Sequence, residues 1–567
     1  MMRSSLLKSS LTAAFLITIF LKPFNASAQS AADEINAIHG NFQIDAQYYQ
    51  PDSLIGAPKV PEKFLSNVFG NINYTKGNFS AGARYEAYNN VKQGFDARYK
   101  GQGVVNRFVR YKTDLLDITV GNIYEQFGSG LTLRTYYEPG LLYDNSLDGV
   151  RVISNPIKGL TLKGITGKQR YFFSVGSGIV RGGDAEVNIN ELFDSVLGKK
   201  KTRVILGGSF VSKYQVDQDP NLILPQNVGC YGGRINIIHE GFNFFTEYAY
   251  KINDPSSDNK FSYKFGEALF SSISYATNGF SFLAQGKRVD NMSFRSDRNE
   301  ALQSLLINYL PTTTKQHSYS MLALNPYATQ FKGEIGGMAE IQYKFKKGTA
   351  LGGKYGTEIT MNYSRANGLQ PIGVSDSSTS MTFYKTNYND IGKDYYHDFF
   401  VEINKKFNKK WKGTFVYSNQ FYNRNIIQFN ADNAGFKSLK ASIGVADITY
   451  KYKPTSSVRV ELQGLFAEDQ HMVTNSNLVA KGNWAAALLE WTPSGHWFFA
   501  VYDQYNYGNP DHALQIHYYL ATMGYNNGPH RIAMGYGKQS AGIFCVGGVC
   551  RTVPASNGIT LSITSSF

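Results

Sequence analysis

The sequence predicts an all-β chain: a transmembrane, antiparallel, up-and-down β-barrel of roughly 24 strands, within about 20 to 26, with long extracellular loops and short periplasmic turns. Three observations carry this. Side chains alternate with period two in segment after segment, tight turns are separated by longer polar stretches, and the final strand ends in an aromatic residue. Composition agrees: 14% of the 567 residues are aromatic and only 18% are charged, a balance that suits half-buried β structure and not a disordered chain. Beyond the N-terminus no segment has the length and apolarity of a spanning helix.

The N-terminus reads as an export signal. Arg3 and Lys8 precede an apolar stretch from Leu11 to Leu21, and Ala26-Ser27-Ala28 supplies the small residues that signal peptidase needs before Gln29. Residues 1–28 are therefore expected to be cleaved, taking Arg3, Lys8 and Lys22 from a chain of formal net charge +14. Residues 29–39 then form a short periplasmic segment before a barrel over 40–567. That spacing leaves no room for the plug domain of an energy-coupled transporter or for the periplasmic repeats of an assembly factor. Of three cysteines, Cys545 and Cys550 enclose Val546-Gly547-Gly548-Val549, a turn able to close a disulfide in an oxidising compartment, while Cys230 is left over. With no further Cys or His nearby, the pair fits a disulfide better than a metal site, and no cofactor is implied.

Along the chain, Phe42, Ile44, Ala46 and Tyr48 share one face while Gln43, Asp45 and Gln47 share the other; Val458, Val460 and Leu462 alternate likewise with Arg459, Glu461 and Gln463. A soluble sandwich would pack its apolar face on a second sheet, whereas a membrane barrel turns that face to lipid and the polar one to a wet interior. Turn spacing favours the barrel. Tight turns are expected at Lys76-Gly77, Asn155-Pro156, Glu240-Gly241, Asn278-Gly279, Lys347-Gly348, Pro454-Thr455, Pro493-Ser494-Gly495 and Asn527-Gly528-Pro529, with longer connections between them. In the last strand Ile559, Leu561, Ile563 and Phe567 form the pattern that outer-membrane assembly machinery takes up as an added edge strand, opposite Thr560, Ser562, Thr564 and Ser566.

A ring this wide is not filled by its own side chains, so either a channel remains or loops fold inward. Two stretches are candidates. In Arg288–Gln330, Asp297 and Glu300 can cap an amphipathic helix that runs through Leu302, Leu305, Leu306 and Tyr309 and stops at Pro311, packed on the rim or plugging the pore. In Phe127–Asp148, the charges Arg134, Glu138, Asp144 and Asp148, with Arg151 on the next strand, could oppose one another across a pore constriction. If both stretches fill the interior, passive diffusion is not expected. Lys199–Lys201, Lys405-Lys406 and Lys409-Lys410 lie near turns on the periplasmic side, and inward Arg203, Arg234 and Arg459 could tilt a channel toward anions.

Catalytic signals are weak. Asp390, Asp394, His397 and Asp398 are expected to cluster in a loop, without a nucleophile elbow or metal-ligand spacing, so no enzyme is expected. Scattered positive charge gives no nucleic-acid footprint.

Three stretches carry a family resemblance: Tyr124–Leu131 with Asp144–Gly149, Ile307–Pro311 through Asn325–Gln330, and Gly547–Pro554. Together they resemble an uncharacterised Gram-negative family of outer-membrane β-barrels with a domain of unknown function, over the whole mature chain. The resemblance implies a cell outer-membrane location and brings no activity or catalytic residues. A likeness to proteins of bacteria with type IX secretion and gliding machinery adds an accessory role as an alternative. The leading expectation is porin-like passage of small hydrophilic solutes. The alternative is a structural or accessory subunit of a secretion, assembly or surface-protein complex, held through aromatic loops such as Tyr136-Tyr137 and Tyr395-Tyr396. Expected partners are outer-membrane lipid and lipopolysaccharide, and the assembly machinery during biogenesis.

Overall fold

Alternating segments can all keep one face apolar only if the sheet they form has an inside and an outside. In the computed structural model, which describes residues 37–373, 384–429, 438–468, 482–546 and 549–567, they form one 24-stranded antiparallel sheet. Each strand pairs with its neighbours in sequence, and the first, Ala37–Tyr49, pairs with both Phe64–Lys76 and the last, Ser556–Ser566. The ring is closed. Closure removes every sheet edge and gives each strand two hydrogen-bonding neighbours, the condition for a β-structure in hydrocarbon. The leader and most of the short segment after it lie outside the described residues.

Strand parity sorts the side chains as expected. Val109 faces Val120, Leu489 faces Val501 and Met523 faces Met534 on the outer wall, all of them exposed. Val460 and Leu462 are exposed there too, while Glu461 and Gln463 are buried on the inner wall. Trp411, stacked on Tyr450 at 4.5 Å, lies beside a tight turn, as do Trp491 and Trp497, which both stack on Phe499. Such rings mark the level where a barrel meets an interface.

Tight turns gather at one end of the ring together with both chain ends. Gly279, at φ +83°, makes the turn between Gly266–Thr277 and Phe280–Asp290, a conformation that side chains disfavour. The Lys199–Lys201 and Lys409-Lys410 runs sit at this end, beside Thr202–Tyr214 and Trp411–Tyr422. Two turns differ from expectation: Lys347-Gly348 lies in a longer connection, residues 346–356, and the other is at Asn155-Pro156. Asn155 and Pro156 stay within the strand Leu147–Ile157, where the register breaks between Ser154 and Ile157, and the chain reverses only at Lys158-Gly159. Proline lacks the amide that a ladder needs, so the strand bulges there instead of ending. The opposite end carries most of the long connections, although residues 189–201 and 346–356 are long ones at the turn end and Tyr171 and Ser174 at the loop end are joined by only Phe172-Phe173.

Candidate functional site

The long connections of residues 124–146 and 291–332 turn inward. Two apolar clusters inside the ring show where they lie. Phe127, Leu131 and Leu133 from the first loop, with Met292, Phe294 and Ile307 from the second, pack on inner-wall Val180, Val211, Val228 and Val289. Farther along, Met321, Leu322 and Tyr327 pack on Phe400, Val416, Ile443 and Leu465 of the facing wall. The second loop therefore crosses the lumen from wall to wall.

Polar anchors hold it there. Lys287 Nζ lies 2.9 Å from Glu334 and donates to Pro311 O at 2.8 Å and Thr329 Oγ1 at 2.7 Å. His317 Nε2 lies 2.6 Å from Asp398, whose other oxygen accepts from Ser418 Oγ at 2.6 Å. Tyr319 donates to Asp447 at 3.1 Å, and Gln463 Oε1 accepts from the Met321 amide at 2.9 Å. The two loops also join each other, since Arg134 N donates to Ile307 O and Tyr309 N to Gly130 O, both at 2.9 Å.

The expected helix at Asp297–Tyr309 is absent. Arg295 and Leu306 form a bridge, Ser296 N donates to Leu305 O and Ile307 N to Phe294 O, so this stretch is a hairpin. Leu302 and Leu305 have φ of +55° and +54°, which no α-helix accommodates. Buried Arg295 explains the choice: its guanidinium reaches Asp258 and takes the carbonyls of Leu302 and Ser304, acceptors that a helix would have used.

The five candidate constriction residues separate. Arg134 is sandwiched between Tyr136 and Tyr309, at 4.4 and 4.0 Å from their ring centres. Glu138 accepts from Gly140 N at 3.1 Å within its own turn. Asp144 is buried between Arg84 and Arg170, the latter at 2.8 Å. Arg151 points inward to Asp117 at 3.3 Å, Thr119 at 3.1 Å and Glu125 at 3.5 Å. Asp148 shares the outer parity of exposed Val150 and pairs with exposed Arg107 at 3.1 Å, so it leaves the set. A transverse field needs opposite charges apart across water, whereas Asp144 and Arg151 contact partners beside them and Arg134 and Glu138 lie within the loop. Of the three inward cations, Arg203 is exposed near the turn end and two are neutralised. Arg234 binds Asp184 at 2.7 Å and Glu186 at 3.0 Å, and Arg459 binds Asp447 at 3.0 Å and Glu461.

Asp390, Asp394, His397 and Asp398 belong to the strand Tyr384–Lys406 rather than a loop. Alternation parts His397, stacked on Phe421, from Asp398, which faces inward to His317, and a break in register between Asp394 and Tyr396 turns Asp394 to Arg365 at 2.6 Å. Cys545 and Cys550 are directly opposed in the hairpin of Gly542–Val546 and Val549–Val553; their side chains lie outside the described residues. Ile559 is exposed on the outer wall opposite Tyr48 and Tyr536, and Leu561 and Ile563 share its parity.

Reading the sequence for motifs missed a cavity of about 820 Å³ between the crossing loop and the wall at the seam of first and last strands. Gln43, Gln47, Asn67, Tyr502, Gln504 and Tyr518 line it, with Ser320 of the loop. It extends from the loop end down to Gln43, the midpoint of Ala37–Tyr49. Parity alone put Gln43 and Gln47 inside; nothing local to them announces which stretch of wall the loop leaves bare.

The P pilus usher PapC translocation pore has a TM-score of 0.43 and 8% identity over 93% of this chain and 99% of that one. The siderophore receptor PirA from Pseudomonas aeruginosa has 0.39 and 10% over 94% and 81%, and the outer membrane protein OpdK from Pseudomonas aeruginosa has 0.32 and 10% over 80% and 95%. No curated protein matches the sequence. A family model matches residues 6–567, so the chain belongs to the family of unknown function DUF6029.

Proposed function

We propose that the protein is an integral outer-membrane β-barrel that passes small hydrophilic solutes selectively through a lumen narrowed by its own loops. The exposed apolar belt with tryptophans at the turn end supports membrane insertion. The observation that carries the channel reading is the bare, polar seam wall. Gln43, Asp45 and Gln47 face inward there beside Thr560, Ser562 and Thr564, and the crossing loop leaves the cavity open against them. Unrestricted porin-like diffusion has no support, because residues 291–332 touch both walls at mid-height.

Purified protein in planar bilayers and proteoliposomes tests this. Small conductance steps with measurable solute flux are expected. No openings together with no flux of any solute would reject the channel.

The pinned loop also favours a second reading, an accessory barrel of an outer-membrane secretion or surface-protein complex. A lumen that never conducts, combined with stoichiometric co-purification in mild detergent with a larger assembly, would select it.

A further inference from the structure

We infer that the solute held in the seam cavity is neutral and polyhydroxylated, a short saccharide. This deepens the channel reading and rests on it. The cavity, about 820 Å³, has the size of small-ligand clefts, which run from about 300 to 1,000 Å³. Its lining is the first reason. Gln43, Gln47, Asn67 and Gln504 present side-chain amides, each with a donor and an acceptor on one plane, a match for neighbouring hydroxyls. Tyr502 and Tyr518 add ring surface, which suits the C–H faces of a sugar.

Unpartnered buried atoms are the second, independent reason. Asn67 is 3% exposed and its Oδ1 has no hydrogen-bond partner; Gln504 is 7% exposed and its Nε2 has none. The Tyr502 hydroxyl lies 3.2 Å from the other end of the Gln504 amide and 2.7 Å from Ser320 Oγ. Asn67 and Gln504 thus each carry an unpartnered amide atom beside the same cavity, and burial without a partner costs each of them about 1–3 kcal/mol. A hydroxyl donates and accepts, so a single class of ligand satisfies both.

Charge is the third. Both oxygens of Asp45 are occupied by neutral donors, Gln43 Nε2 at 2.6 Å and Ser562 Oγ at 2.8 Å. At the mouth Lys538 is paired with Asp52 at 2.7 Å. Asp45 keeps its negative charge and disfavours an anion, Lys538 is already paired, and Asn67 and Gln504 each keep an unpartnered amide atom for a neutral hydroxyl.

The test uses the full-length protein in detergent and in proteoliposomes, with maltose and maltotriose as neutral probes and gluconate as a charged one. Expected are saturable sugar flux above that of gluconate, and calorimetric sugar binding that Asn67→Leu and Gln504→Leu, each still a heat-modifiable folded barrel, weaken about fivefold to tenfold. If a leucine variant fails to assemble, Gln504→Glu keeps the size and is expected to show the same loss. Conductance with gluconate passing as readily as sugar, or with sugar binding unchanged in the variants, would overturn the saccharide assignment and leave the channel standing. No conductance and no flux would overturn the channel, and binding in detergent would then judge the site alone. Absence of binding there means that only water fills the cavity and sinks this inference.

Discussion

Gly40 and Phe567 exchange both main-chain hydrogen bonds, 3.0 Å from Gly40 N to Phe567 O and 2.9 Å from Phe567 N to Gly40 O, and the Phe567 ring lies over the glycine. A β-carbon at position 40 would fall 2.3 Å from the ring's Cζ. That atom is the free end of a side chain 69% exposed, so Gly40→Ala can displace the ring and is expected to cost little. Removing Phe567 loses the ring and both bonds, and should lower the yield of heat-modifiable, folded barrel. Gly558, on the same last strand, is different: its φ is +137° and an added Cβ would meet the Tyr48 carbonyl at 2.1 Å. Gly558→Ala should destabilise the seam by about 2–3 kcal/mol. Equal yields for Gly40→Ala and Gly558→Ala would contradict this account of closure.

The crossing loop should be releasable at one buried pair. Arg295 is 1% exposed and Asp258 8%, and the guanidinium also fixes the carbonyls that shape the hairpin. Arg295→Met leaves the carboxylate buried and unpaired, a cost of about 3 kcal/mol or more borne by the loop. Protease should then cut within residues 294–307, and bilayer conductance should rise. A variant that resists protease and conducts as before would show that Arg295 does not hold the plug.

Acid should loosen the mouth of the cavity. Burial raises the Asp52 carboxyl, but the Lys538 ammonium and the amides of Leu54 and Ile55 outweigh it and hold the group below its ordinary range. A lowered folded value means that the contact stabilises fully above the ordinary carboxylate value and is lost as pH falls through the folded one. Amide exchange of residues 50–63 should therefore stay slow at neutral pH and accelerate only in strongly acidic buffer. Asp52→Asn should remove that acid-dependent step, and an unaltered pH profile would refute the latch.

Directly opposed residues of an antiparallel pair have Cα atoms about 4.5–5.5 Å apart, within the range that a disulfide spans. Cys545 and Cys550 meet that condition in their hairpin, while Cys230 is fully buried on the inner wall. Alkylation of the native, unreduced protein should label no cysteine, and denaturation should release one thiol. Reduction should release two more. Three thiols on denaturation without reductant would exclude the bridge.

The wall of this barrel was legible in the sequence and its contents were not, for a physical reason. Alternation reports which side of a strand a residue faces, as in Val460 and Glu461, and glycine turns report where it ends. It does not say what fills the inside. The loop Asp297–Tyr309 has helical spacing and a capping pair, yet Arg295 and Asp258, 37 residues apart in sequence, impose a hairpin that no local pattern announces. One signal was present and unused. In Leu439–Lys453 the inner parity runs Ala441, Ile443, Val445 and then Asp447, Thr449; in Asn227–His239 it runs Val228, Cys230 and then Arg234, Asn236. Inner positions change from apolar to polar partway down the strand, and the apolar part is where the loops lie.

That same change predicts how the lower lumen responds to charge. Arg459 sits below the apolar part, 30% exposed, and binds Asp447 at 3.0 Å together with Glu461, while Tyr319 ties Asp447 to the crossing loop. Two carboxylates around one guanidinium already leave the cluster negative, so Arg459 does not act as an anion site. Arg459→Gln takes away the compensating charge and should move the reversal potential in a potassium chloride gradient toward cation selectivity. The shift should shrink in concentrated salt, where screening falls to a few ångströms, about 3 Å at 1 M. A shift toward anions, or none at low salt, would mean that the permeation path does not pass this cluster, and the channel would then have to run elsewhere than beneath the seam cavity.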